Sequence, residues 1–233
     1  MAQRDDILPP KEEKTEAVRS MFDAIAPRYE MVNRTMTFGL DSRWRRRTVA
    51  ALGLAPGSHV IDLACGTGDL SRTAAKNGLI PVGLDLSFGM LAASHDTGPL
   101  VQGDASQMPI RDASVDGIVC GYALRNFTDL DAAFSEMARV LRPGGRIALL
   151  EVGAPKGQLI KRGYAIWFDH IVPAIGGVLS DAKAYRYLPA STVYLPPAAE
   201  LRESLVERGF SGVNHHLLSG GLSQLFTATR ISS

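Results

Sequence analysis

The sequence predicts an α/β protein built on a doubly wound, mostly parallel sheet. Three observations lead there. Short apolar runs alternate with helical patterns from "HVIDL" at His59 to "GGRIALLEV" at Gly144, several of the runs close on an acid or a glycine, and two strand-like runs follow the last helix with no helix between them. Apolar strands separated by helical crossovers are parallel strands buried on both faces, and the ligands of such sheets gather beyond the carboxyl ends of the strands.

The elements follow in order. Residues 1–13 are charged, contain prolines and lack an apolar core, so they read as a flexible arm and not as a secretory signal. Val18, Met21, Phe22 and Ile25 share helical spacing until Pro27 ends the run, and a second helix from about Asp41 to Leu52 carries Arg43, Arg45, Arg46 and Arg47 around Trp44. Residues 14–54 thus form an N-terminal helical lid. The core, 55–152, alternates "HVIDL", "IPVGLDL", "LVQGD", "VDGIVCG" and "GGRIALLEV" with helices at "DLSRTAAKNG", "SFGMLAASH" and Leu130 to Leu141. A cap spans 153–198. Residues 199–233 give a helix near Ala199 to Arg208, then "SGVNHHLL" and "QLFTATR" as an antiparallel hairpin that completes a seven-stranded sheet. All of 14–233 reads as one domain.

Composition removes several functions. A formal charge of +1 on 233 residues provides no basic face for nucleic acid. Cys65 and Cys120 are the whole cysteine content, which points to a reduced, cytoplasmic setting and to packing roles. The apolar stretch from Leu159 to Leu179 is broken by Lys161, Arg162, Asp169, His170 and Pro173, so it does not span a bilayer, although it is able to touch a membrane surface. His170, His215 and His216 lack the spacing of metal ligands, and no metal is expected.

The loop "VIDLACGTGDL" opens the first crossover helix and is the expected ligand site. A dinucleotide fingerprint needs a third glycine, but Ser71 stands there after Gly66 and Gly68. A pyrophosphate would also lie between Asp62 and Asp69, which would repel it. A cationic ligand without phosphate fits better. S-adenosylmethionine is one: the spacing Asp62-x-x-x-Gly66-x-Gly68 admits its methionine end close to the backbone, and Asp85, ending the second strand, can accept from both ribose hydroxyls. Asp104 ends the third strand where the adenine amino group would lie, Ala105 offers a backbone N–H to the ring, and Gly121 floors the site. Two of these acids have structural alternatives, Asp69 as the cap of its own helix and Asp85 as the cap of the next.

The run D-x-x-x-G-x-G, the acid at the next strand end and "LRPGG" before the fifth strand resemble class I S-adenosylmethionine-dependent methyltransferases, which are Rossmann-like. The segments "YEMVNRTMTFGLDSRW", "ALRNFTDLDAAFSEMARVLRPGGRIALLE" and "SDAKAYRYLPAS" are similar to the ubiquinone/menaquinone biosynthesis C-methyltransferase family over nearly everything after about residue 14. That resemblance implies cofactor contacts at Thr67, Asp85, Asp104, Ala105 and Gly121. It also implies a quinol acceptor, polyprenylated and methylated at a ring carbon, with contact at the inner membrane surface. A homodimer is left open. The chain departs from the family pattern at Glu30, at "EVGAP" and at its "GGLSQLFTATR" ending. Those departures keep two alternatives: another phenolic or apolar acceptor, or a non-catalytic assembly subunit that binds the same cofactor.

A quinol carbon becomes a nucleophile when the neighbouring hydroxyl, of pKa about 10, loses its proton. Arg125 is expected to stabilise the phenolate and Asn126 to hold the neighbouring oxygen, with pairing of Arg125 to Asp129 or Asp131 as the structural alternative. Tyr29 and Asn33 are expected to cover the site. Tyr185 and Tyr187 lie two apart, so at most one of them, taken as Tyr185, lines it. Arg43 to Arg47, with Trp167 and Phe168, are candidates for membrane contact.

Overall fold

A computed structural model describes residues 8–10, 13–37, 39–95, 98–153, 155, 187 and 190–231, except for the side chains of 32, 33, 35 and 36. The expectations placed on Tyr185, Trp167, Phe168, His170 and the side chain of Asn33 lie outside the described residues. The strands are β1 (His59–Leu63), β2 (Ile80–Asp85), β3 (Leu100–Gln102), β4 (Val115–Gly121), β5 (Leu141–Val152), β6 (Phe210–Leu218) and β7 (Ser223–Arg230). They form one seven-stranded sheet in the order β3-β2-β1-β4-β5-β7-β6. β1 to β5 pair in parallel, while β7 runs antiparallel to both β5 and β6. The expected hairpin is present, with its second strand inserted next to the parallel sheet and its first strand left at the edge.

Strand side chains alternate between two buried clusters. Ile61, Ile118 and Leu149 join one with Phe134, Met137 and Leu201, whereas Val60, Val119 and Leu150 join the other with Val49, Leu52, Leu70 and Ala74. The pleat sends successive residues to opposite faces, so strands covered on both sides must be apolar throughout. The covering helices are α3 (Leu40–Leu52) and α4 (Asp69–Lys76) on one face, and α6 (Leu130–Val140) and α7 (Ala198–Glu207) on the other. Asp129 caps α6, its Oδ1 accepting from the Ala132 amide at 2.9 Å.

Three further helices close over the carboxyl ends of the strands: α1 (Lys14–Ile25), α2 (Tyr29–Met36) and the short α5 (Phe88–Ala92). Lys14 fixes the start of α1. Its ammonium donates to the carbonyls of Arg125 and Phe127, both at 3.0 Å, and sits 4.1 Å from the centre of the Tyr194 ring. At the other end, Asp23 Oδ1 accepts from Ser87 Oγ at 2.5 Å and from the Gly89 amide at 2.8 Å. A Cβ on Gly89 would lie 2.8 Å from Asp23 Cα, so only glycine lets the two helices approach this closely.

The arginine run of α3 divides. Arg43, Arg46 and Arg47 are exposed, but Arg45 is buried, paired with Asp41 and, at 2.7 Å, with Asp69. This corrects the capping role expected of Asp69. Gly68, left-handed at φ 87°, is the N-cap of α4, and Asp69 joins an ion network with Arg45 and Arg72. Arg72 also pairs with Glu30, which ties α2 to the first turn of α4.

Candidate active site

β1 and β4 lie side by side at the point where the strand order reverses, and a cavity of about 350 Å³ opens beyond their ends. Ala64, just after β1, and Tyr122, just after β4, both line it, and both are left-handed, at φ 53° and 61°. Such backbone costs energy and persists where the surroundings impose it, which makes these two residues site features that the sequence reading missed. No side-chain type marks them; a signal exists only in their position after the last strand residue.

Of the predicted residues, Tyr29, Gly66, Asp85, Asp104, Ala105, Gly121 and Asn126 come together in the cavity lining. Asp62, Thr67, Gly68 and Arg125 do not. Asp62 is buried behind the loop, where its Oδ2 accepts from both the amide and the hydroxyl of Ser71, each at 2.7 Å. Ser71, standing where a dinucleotide loop has its third glycine, therefore fastens α4 to β1. Thr67 is buried as well, its carbonyl accepting from Arg72 Nη1 at 2.8 Å and from Ser94 Oγ at 3.1 Å. Gly121 lines the cavity, and a Cβ there would meet Leu70 Cδ1 at 2.9 Å, so its missing side chain also serves the packing of α4.

Arg125 departs most from expectation. Its guanidinium is buried and pairs with the fully buried Glu151 at the end of β5, not with Asp129 or Asp131. Asp131 instead pairs with Arg208 at 3.0 Å. Arg125 also donates from Nη1 to the Tyr122 carbonyl at 2.8 Å and from Nε to Ser191 Oγ at 3.1 Å. Burial acts to lower its pKa, but Glu151 and the neighbouring groups outweigh that and raise it, so the guanidinium stays charged. It braces the turn Leu124–Asn126 from behind, and Asn126 is the member of "LRN" that faces the cavity.

Asp85 does not cap α5. Ser87 does, its hydroxyl accepting from the Met90 amide at 3.1 Å. Asp85 Oδ2 accepts from the Gly66 amide at 2.7 Å and Oδ1 from the Ser87 amide at 2.8 Å, so the carboxylate holds the glycine loop in place. Each oxygen keeps a second lone pair for a ligand hydroxyl. Burial raises its pKa.

Burial also pushes the Asp62 carboxyl up to about 7, and its Oδ1 has no hydrogen-bond partner among the described residues. The folded protein then holds a proton that the unfolded chain releases near pH 4, so the contribution of Asp62 to stability falls as pH rises from about 4 to about 7. In urea melts across that window, the stability of the wild-type protein relative to Asp62→Asn should fall as pH rises and level off above about 7. A difference that does not change with pH would refute the shift.

Among the described residues, the lining contains three carboxylates, Asp85, Asp104 and Asp129, against one guanidinium, Arg19. A cationic ligand therefore fits it. At Gly66 a Cβ would approach Tyr29 Cε1 at 3.8 Å and Met90 Sδ at 4.0 Å, in space that the missing side chain leaves to a ligand. The donor set thus fits S-adenosylmethionine.

A family model described as the ubiE/COQ5 methyltransferase family matches residues 10–230. The chain belongs to this family. It is 36% identical to the ubiquinone/menaquinone biosynthesis C-methyltransferase UbiE of Geobacter sulfurreducens, over 94% of this chain and 90% of that protein. It is 38% identical to the demethylmenaquinone methyltransferase of Roseiflexus castenholzii, over 97% of this chain and 98% of the relative. Among solved structures, phosphoethanolamine N-methyltransferase 2 of Haemonchus contortus in complex with S-adenosyl-L-methionine shares the fold, with a TM-score of 0.61 at 16% identity over 82% of this chain and 53% of that one. This member of the ubiE/COQ5 family is an S-adenosylmethionine-dependent methyltransferase with the class I fold.

Proposed function

We propose that this methyltransferase transfers a methyl group to a ring carbon of a quinol of the demethylmenaquinone or ubiquinone-precursor type. One observation carries the acceptor class. The cavity is polar along the strand ends, at Asp85 and Asp104, and apolar across its roof, where Val18, Phe22 and Phe127 face it and Tyr29 meets Phe22 edge-on with ring centres 5.9 Å apart. Such a roof suits a flat aromatic acceptor above a polar cofactor. The names of the two relatives support the same class.

S-adenosylmethionine supplies the methyl group from its sulfonium. Asp85 would hold its ribose hydroxyls, Asp104 and Ala105 its adenine, and the Gly66 loop its methionine end. On the acceptor side, Asn126 donates to the oxygen that becomes a phenolate as its proton leaves to water; after the methyl group arrives, the ring carbon loses its own proton to water and the ring regains its aromaticity. Arg125 keeps the turn in place and shares its charge with Glu151. Alignment in a near-attack geometry is worth roughly 7–11 kcal/mol in model systems. A polyprenyl acceptor resides in the bilayer, so the enzyme meets it at the membrane surface; the exposed Arg43, Arg46 and Arg47 suit anionic headgroups. No helix among the described residues is long and apolar enough to cross a membrane.

Mass spectrometry after incubation with S-adenosylmethionine and each quinone, oxidised and reduced, tests the acceptor. A gain of one methyl on the reduced form alone is expected. If no quinol gains mass while S-adenosylhomocysteine still binds, the acceptor is a different phenolic or apolar molecule.

A further inference from the structure

The turn Leu124–Asn126 is held from several sides. Arg125 is bonded to Glu151 and Ser191, Lys14 to the Arg125 and Phe127 carbonyls, and the buried Tyr187 donates its hydroxyl to Asn126 Oδ1 at 3.3 Å. The last of these bonds has a chemical consequence for the cavity. A side-chain amide has an accepting end and a donating end, and fixing one to a partner decides which end faces the other way. Tyr187 takes the oxygen. Asn126 lines the cavity, Tyr187 is not part of the lining, and Asn126 Nδ2 has no protein partner among the described residues.

We propose that Tyr187 is a positioning residue for methyl transfer, holding the Asn126 amide with its NH₂ toward the acceptor so that it donates to the ring oxygen as that oxygen loses its proton. The inference rests on the reading of Asn126 given above and adds a residue that does not itself touch the substrate. Burial pushes the Tyr187 hydroxyl up to about 12, so it remains a protonated donor wherever the enzyme works. The charged groups behind the turn are Arg125 with Glu151 and, farther out, Lys14 against Tyr194. The titratable groups on the cavity side are Arg19, Tyr29, Tyr122, Asp85, Asp104 and Asp129.

The test compares Tyr187→Phe, Asn126→Ala and the double variant, with kcat, KM and the pH profile of kcat measured on the reduced acceptor. Tyr187→Phe keeps the ring and its packing. It should lower kcat about tenfold, leave the KM for S-adenosylmethionine unchanged and move the rising limb of kcat to higher pH, because a less stabilised phenolate forms only in more alkaline solution. In the Asn126→Ala background the same change should cost nothing more. Multiplicative losses in the double variant, or an effect confined to KM or to the melting temperature, would overturn the proposal. The NMR signals of the Asn126 side-chain NH₂, assigned by their loss in Asn126→Ala, supply a readout that needs no acceptor. Signals that do not move in Tyr187→Phe overturn the proposal even if quinols are methylated. Signals that move, with no quinol turned over, uphold Tyr187 and remove only the acceptor class.

Discussion

Glu151→Ala is expected to lower the melting temperature by about 10 °C, measured without ligand. The substitution leaves the Arg125 guanidinium buried without its partner and takes the acceptor from the Val152 amide, which Glu151 Oε1 holds at 2.8 Å. Removing one member of a buried ion pair costs about 3–5 kcal/mol, and in a protein of this size each kcal/mol is worth about 2–4 °C. Replacing both residues with apolar ones of similar volume should recover much of the loss, since the cost lies in the stranded charge. Glu151→Ala melting within a couple of degrees of the wild type would mean that the pair is not formed in solution. Activity should fall further than stability alone explains, because the same pair supports the turn that carries Asn126.

The second large effect concerns the cofactor. Asp85→Ala should weaken S-adenosylhomocysteine, titrated calorimetrically, by about 100-fold or more, since hydrogen bonds to a charged group are worth about 1.5–3 kcal/mol each. Asp85→Asn, which retains one accepting oxygen, should fall between the alanine variant and the wild type. The alanine variant also releases the Gly66 amide from its anchor. A dissociation constant within threefold of the wild-type value would show that the ribose is held elsewhere and that Asp85 serves the loop alone.

Much of this was readable from the chain, for a physical reason. Strands buried on both faces must be apolar throughout, so β1, β4 and β5 announce themselves, and a parallel sheet leaves its cavity at the strand ends, which Asp85, Asp104 and Gly121 line. What escaped the sequence were pairings across the fold. Arg125 was read against the acids that follow it within a few residues, Asp129 and Asp131, yet its partner is Glu151, on a neighbouring strand. Arg45 looks like one member of a solvated run but is the buried one. Lys14, at the first residue of its helix, carries no mark in the sequence and is covered by the turn after β4. A residue's neighbours in sequence set its local conformation; its charge partner is chosen by the sheet order.

That sheet order has a consequence for how the molecule is made. β5, whose residues Ile147 to Glu151 are at most 1% exposed, has β4 on one side and β7 on the other, and β7 is the last strand among the described residues. During synthesis from the amino end, the parallel half can assemble while one border of "IALLE" stands bare, a template for any stray strand. Among the described residues, β7 covers it. A chain truncated before Ser223 would contain every described residue of the cavity lining, yet leave that border open to pairing with another copy.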